Sequence, residues 1–368
     1  MARFDLIYSG GERVQNIPIN KGNYYMETEE REILFEAYRG EGWEKEYREY
    51  RESWTKNAKE QYVSQWPLLV DIETSSVCNL KCPMCYTITE EFKEKVHAKL
   101  IDDKLYYKII DEIEGKVPAI RLSLRGEPTL HPHLLEYIKY AKKSGIKEVS
   151  FLSNGSKFTD DFIRDLINSG VDWITVSVDG TDERYNSIRK PLKFDETYKK
   201  IKRFSEIKKE MGVHRPVIKI QGIWPALKQN VEEYYNIFEP ITDMIAFNPL
   251  IDYLDNDEDI VYDDNFSCPQ LYQRVIIAAD GQVLMCSNDE ENMNVIGNAN
   301  TEKIYDIWHG ERLQKIREQH KLLCGFKDIP VCRKCYLPRK TEENEEAFVN
   351  GRKIIIKNYV GRSQKIGE

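Results

Sequence analysis

Residues 67–85 read Pro67-Leu68-Leu69-Val70-Asp71-Ile72-Glu73-Thr74-Ser75-Ser76-Val77-Cys78-Asn79-Leu80-Lys81-Cys82-Pro83-Met84-Cys85. A short apolar run, Leu68–Glu73, has the length and residue types of a buried strand. It runs into a loop with three thiols spaced C-x3-C-x2-C. Further strand candidates follow at Ile120–Leu124, Glu148–Leu152, Trp173–Val178, Val217–Ile223 and Met244–Phe247. Helical patterns lie between them, at Asp103–Glu114, Pro132–Lys143, Asp160–Asn168, Phe194–Met211 and Leu227–Phe238, with Gly145 and Gly170 placed as C-terminal caps. Such alternation predicts an α/β fold with a parallel sheet covered on both faces.

The rest of the chain is organised around this block. Glu29–Tyr62 reads as helix, broken at Gly40–Gly42, and Trp43, Tyr47 and Trp54 recur as one packing stripe. The expected domains are a helical extension over 1–65, a β/α domain over 66–250, a small domain over 251–340 and a tail over 341–368. Asp252–Asp264 is an acidic linker. Leu271–Ala278, Asp280-Gly281 and Gln282–Met285 read as a β-hairpin, and Ile304–Gln319 as a helix. The tail is expected as a surface-packed strand or a partly ordered terminus.

Three thiolates on one loop can hold three irons of a cubane cluster and leave the fourth iron open to a ligand. A structural zinc would need a fourth Cys or His, and only His97 stands nearby. The loop, placed after the first strand, resembles the signature of the radical S-adenosylmethionine (SAM) superfamily. Leu124-Arg125-Gly126-Glu127-Pro128 is similar to that family's GGEP, with Arg125 replacing the first glycine. The resemblance covers about residues 67–250 and implies a partial (β/α)6 barrel binding one [4Fe–4S] cluster and SAM. It implies that Cys78, Cys82 and Cys85 ligate the cluster and that Glu127 accepts from the SAM ammonium. It further implies that Ser153, Asn154, Ser177 and Arg189 touch SAM and that Gln221 lies near its adenine. All of these close strands at the face where β/α barrels place their chemistry. Gly126 is expected to let backbone approach the ligand.

The remaining cysteines are Cys268, Cys286, Cys324, Cys332 and Cys335. A hairpin with a cysteine near each end, plus a distant C-x2-C, can converge on four irons or on one zinc. The spacing of Cys268, Cys286, Cys332 and Cys335 resembles the twitch domain, a shortened SPASM domain, which implies a second, auxiliary [4Fe–4S] cluster. Cys324 is left over. It reads either as a small buried residue or as a hydrogen-atom donor to a substrate radical.

Hydrophobic residues make up 41% of the 368, which permits a packed core. Net charge is −8, arguing against broad binding of nucleic acid. No run reaches the roughly 18–20 apolar residues of a membrane span, and no secretory signal is seen at the N-terminus, so a cytoplasmic location and no membrane partner are expected. Among twitch proteins the resemblance is to aminocyclitol dehydrogenases. It implies hydrogen abstraction from a carbinol carbon of a sugar or aminocyclitol, with the electron passed to the auxiliary cluster. A reductant such as flavodoxin or ferredoxin is implied as partner. Epimerisation through Cys324, and modification of a ribosomally made peptide, are the alternatives.

Overall fold

The computed structural model describes residues 24–248 and 260–360. Most of the acidic linker and the last residues of the tail lie outside that range. Twelve strands are numbered along the chain: β1 Tyr24–Tyr25, β2 Leu69–Ile72, β3 Ala119–Arg121, β4 Glu148–Ser153, β5 Trp173–Ser177, β6 Val217–Ile223, β7 Met244–Asn248, β8 Arg274–Ile277, β9 Gln282–Leu284, β10 Val295–Asn298, β11 Thr341–Val349 and β12 Arg352–Tyr359. The first ten form one sheet in the order β1-β7-β6-β5-β4-β3-β2-β8-β9-β10. Pairing is parallel from β7 across to β8 and antiparallel at both ends. Helices Asp103–Ile113, Leu134–Lys143, Asp160–Ser169, Phe194–Met211 and Val231–Phe238 make the crossovers from β2 to β7. This is the expected β/α partial barrel.

The strands alternate in a way that their apolar content conceals. Val70, Ile72, Ile120, Leu122, Val149, Phe151, Ile174, Val176, Ile218 and Ile220 face outward and join the helices in one core. Their neighbours Asp71, Arg121, Ser150, Thr175 and Lys219 face inward and line a chamber of about 360 Å³. The sheet is thus covered by hydrocarbon on its outer face only. The inner face is polar because the curled sheet encloses space for a ligand instead of a second core layer.

Helices Glu29–Arg39 and Glu44–Lys59 close the barrel at the strand starts. Gly42, at φ +82°, makes the break between them. Trp43, Tyr47, Tyr50 and Trp54 pack on Leu69 and Ala119, which open β2 and β3. Phe35 packs on Val217 and Met244, which open β6 and β7.

Two expectations change. The first strand of the Asp-Gly hairpin, β8, belongs to the barrel sheet: Leu69 is opposite Arg274 and Ile72 opposite Ile277, in parallel register. The helix expected over Ile304–Gln319 is two, Ile304–Trp308 and Glu311–Lys321, separated at Gly310. The tail forms its own antiparallel pair, β11 with β12. Among the described residues no helix is long and apolar enough to cross a membrane.

Candidate active site

The three loop cysteines and the strand-end residues share one cavity. Its wall includes Cys78, Cys82, Cys85, Gly126, Glu127, Ser153, Asn154, Ser177 and Arg189. Gln221 is not among them and lines the adjoining chamber instead. The two spaces meet at Ser123, Leu124 and Leu152, which line both.

The loop is fixed to the end of the second barrel strand by backbone. Glu127 N donates to Val77 O at 2.8 Å. Gly126 has φ +62°, and a Cβ there would lie 2.4 Å from Ser75 O and 2.7 Å from Val77 O. The chain leading into the cysteine loop therefore requires the glycine, which also lines the cavity. Glu127 is 2% exposed. Its carboxylate accepts from Thr129 Oγ1 at 2.6 Å, Thr129 N at 3.2 Å, Ser153 Oγ at 2.8 Å and Asn154 N at 2.7 Å. Burial still pushes its pKa up against these donors. A buried carboxylate in that state favours an added cation, which is what a SAM ammonium offers.

Ser153 and Asn154 thus act first on Glu127, and the Asn154 amide also donates to Asn79 Oδ1 of the cysteine loop at 2.9 Å. Arg189 is held by Asp179 at 2.6 Å, and Asp179 also accepts from Ile223 N at 3.0 Å. Burial raises the Cys82 thiol to about 11, with Arg189 the leading opposing influence. Such a thiol needs a metal's charge to become a ligand thiolate.

Arg125, the departure from the family motif, has a structural role that the sequence did not disclose. Its Nε and Nη2 meet the two carboxylate oxygens of Glu73 at 2.7 Å each. Its Nη1 reaches Glu290 O and Asn292 Oδ1, both at 2.9 Å. Glu73 also accepts from Ala279 N at 3.0 Å. This clamp joins the end of the first barrel strand to the loop that follows Cys286.

Cys268, Cys286, Cys332 and Cys335 come together as a buried group, each 9% exposed or less. Burial, then Cys286, Cys268 and Cys335 in turn, push the Cys332 thiol well up. Asn288 Nδ2 lies 3.1 Å from Cys335 Sγ, and His320 Nε2 lies 3.5 Å from Cys332 Sγ. Burial alone takes His320 down to about 4, so a neutral ring faces the thiols. Among the described residues no three His, Cys, Asp or Glu side chains converge as holders of one ion. Four buried thiols are a donor set that a cubane cluster takes, one iron to each. Residues beside the quartet, among them Gln270, Ser287, Asn288 and Tyr336, line the chamber.

Cys324 is not brought to this centre. It lines neither space, sits in a left-handed turn at φ +56° and is bonded through its N–H to Asp264 O at 2.9 Å. It is half-buried, not the buried packing residue expected. Its side chain faces Asp264 and Lys327.

Comparison with known proteins agrees with this geometry. Residues 72–240 match the radical SAM superfamily, and residues 268–336 match SPASM, described as an iron–sulfur cluster-binding domain. A tungsten-containing aldehyde ferredoxin oxidoreductase cofactor-modifying protein of Pyrococcus furiosus is 26% identical over 260 residues, which are 68% of this chain and 71% of that protein. The structure of BtrN in complex with AdoMet and 2-DOIA covers 73% of this chain and 92% of its own, at 17% identity and a TM-score of 0.51. Streptococcus suis SuiB bound to the precursor peptide SuiA covers 74% of this chain and 71% of its own, at 16% identity and a TM-score of 0.50. At these identities the two solved structures speak for the fold. The radical SAM domain takes a [4Fe–4S] cluster and SAM, and the SPASM domain takes a further iron–sulfur cluster. The chain is a radical SAM enzyme that joins a partial barrel to a SPASM iron–sulfur domain.

Proposed function

We propose that this enzyme is an oxidoreductase that converts a carbinol carbon of a sugar- or aminocyclitol-like molecule to a ketone. The observation that carries the reading is the position of the chamber. Ser123, Leu124 and Leu152 join it to the cavity of Glu127, and Gln270, Ser287, Asn288 and Tyr336 join it to the buried thiols. A substrate there lies between both redox sites. When bound, SAM on the loop cluster supplies a 5′-deoxyadenosyl radical, and the second cluster supplies an electron acceptor.

The chain's own residues hold and shield these groups. Cys78, Cys82 and Cys85 would ligate the first cluster, and Cys268, Cys286, Cys332 and Cys335 the second. Glu127 would hold the methionyl ammonium, with Ser153 and Asn154 keeping its carboxylate aimed. Ser177 and Arg189 face the same cavity and would meet ribose and carboxylate. Gln221 would meet the substrate. A flavodoxin or ferredoxin is the proposed electron donor. Likeness to BtrN supports a small-molecule substrate, and likeness to SuiB supports the rival peptide reading. Epimerisation loses support because Cys324 lies away from the chamber.

The test is anaerobic turnover of the reconstituted enzyme with alcohols deuterated at the carbinol carbon. The expected result is deuterium in 5′-deoxyadenosine together with a ketone product. Inverted alcohol carrying solvent hydrogen, or deuterium delivered only from a labelled peptide, would sink the proposal.

A further inference from the structure

The two cysteine sites differ in what their sulfurs accept. At the loop, Leu80 N reaches Cys78 Sγ at 3.4 Å and Thr87 Oγ1 lies 3.0 Å from Cys85 Sγ. At the quartet, side chains join the backbone as N–H donors. Asn288 Nδ2 lies 3.1 Å from Cys335 Sγ, Leu337 N lies 3.4 Å from the same sulfur, and His320 Nε2 lies 3.5 Å from Cys332 Sγ. The backbone amides of Gln270 and Leu271 oppose the burial that pushes the Cys268 thiol up to about 12. The Asn288 amide does the same at Cys286. Each sulfur of the quartet thus has an N–H aimed at it. A ligating cysteine is a thiolate, which only accepts, so the His320 ring would meet it as Nε2–H.

The two side-chain donors are held in place. Asn288 stands on a turn locked from both sides. Gln270 Oε1 accepts from Ser287 N at 3.0 Å, and the Asp289 carboxylate accepts from Met293 N and Asn294 N at 2.7 Å each. His320 is fully buried and packs edge-on against Phe266, with ring centroids 5.9 Å apart. Fixed dipoles of this kind need no reorganisation when charge arrives. Reduction brings negative charge to the sulfurs of an iron–sulfur cluster. An N–H pointing at sulfur stabilises that charge and raises the reduction potential. A higher potential makes a better electron acceptor. Neither side chain is needed to complete the ligand set, since four cysteines already supply it. Asn288 also lines the chamber, so one of the donors stands between the quartet and that space.

We infer that Asn288 and His320 hold up the reduction potential of the cluster that the quartet takes. They act through Cys335 and Cys332 and are positioning residues. The inference rests on the iron–sulfur domain and not on the alcohol reading. The test is a potentiometric titration of the reconstituted enzyme, followed by electron paramagnetic resonance. The quartet's signal is identified as the one missing from Cys332→Ala. Asn288→Leu and His320→Phe each remove one N–H. Each should shift the balance of oxidised and reduced cluster about ten-fold towards oxidised, ~59 mV downward for one electron. His320→Gln keeps an N–H and should keep the parent's potential. The loop cluster's midpoint, read in the same samples, should not move. If one variant fails to load iron, the other decides. An unchanged quartet midpoint in a loaded donor-removing variant, a His320→Gln midpoint as low as that of His320→Phe, or an equal fall at both clusters would overturn the inference. So would loss of the quartet's iron from Asn288→Leu and His320→Phe alike, because the two side chains would then hold the cluster and not tune it. Because the readout is a potential, failure of alcohol oxidation with the expected shifts intact would sink only the oxidoreductase reading.

Discussion

The two cysteine sites are built on opposite plans. Cys78, Cys82 and Cys85 come from one loop of eight residues, and Cys78 and Cys85 are only half-buried. Cys268, Cys286 and the pair Cys332 and Cys335 come from three separate segments, and all four are buried. A local loop can be ordered by its anchors alone, here Glu127 N on Val77 O and Asn154 on Asn79. A quartet gathered from distant segments has to be ordered by the domain, and metal loading then contributes directly to folding. The comparison teaches that the first site is built to stay open, with three thiols and a buried acid lining one cavity, and the second to stay closed.

The largest expected effect comes from replacing Cys78, Cys82 and Cys85 together by Ala. Reductive SAM cleavage should be abolished and about four irons lost, with about four retained by the quartet. The thermal midpoint should change little. Residual 5′-deoxyadenosine would break the comparison at its first side. Cys332→Ala should do the reverse: iron falls by about four and the midpoint drops by several degrees, read by differential scanning calorimetry. A quartet variant as stable as the loop variant would erase the contrast.

Arg125→Gly restores the family's glycine but removes the clamp between the sites. Glu73, fully buried, would keep only backbone N–H partners. Stranding one member of a buried pair costs about 3–5 kcal/mol, which denaturant unfolding of the reconstituted enzyme would show. Glu127→Gln keeps shape and loses charge, so SAM should bind more weakly by about 1.5–3 kcal/mol in calorimetry. Cys324→Ala is the smallest change: turnover and SAM cleavage should match the parent. Loss of product with SAM cleavage intact would return the epimerase reading.

The barrel was legible because periodicity and turn residues are local. Val217–Ile223 and Phe194–Met211 are found at their expected bounds. The cysteine spacings were legible for the same reason. What sequence did not disclose is pairwise and long-range. Arg125 looked like a flaw in a motif, because its partner Glu73 lies 52 residues away and its other contacts 165 and 167 away. Lys219 gave no signal, because the residues that share its chamber, Arg121 and Arg274 among them, stand on other strands. Gly126 was legible as a necessary glycine, but the atom that excludes a side chain there is Ser75 O, and no pattern names it. His320 gave no signal, since a buried ring beside a thiol is set by packing.

The parallel pairing of β8 with β2 also bears on how this protein could be cut or recombined. The junction suggested by sequence, near residue 250, leaves β8 on the wrong side. A chain ended there would strip β2 of its neighbour along Leu69–Ile72 and present a row of unpaired amides and carbonyls. It would also remove the Ala279 N–H that Glu73 uses. Such a fragment is an edge-strand hazard, prone to self-association through β2. Keeping β8 with the barrel also keeps Cys268 there, so no single seam yields both an intact sheet and an intact quartet, and the two parts exchange only as one piece.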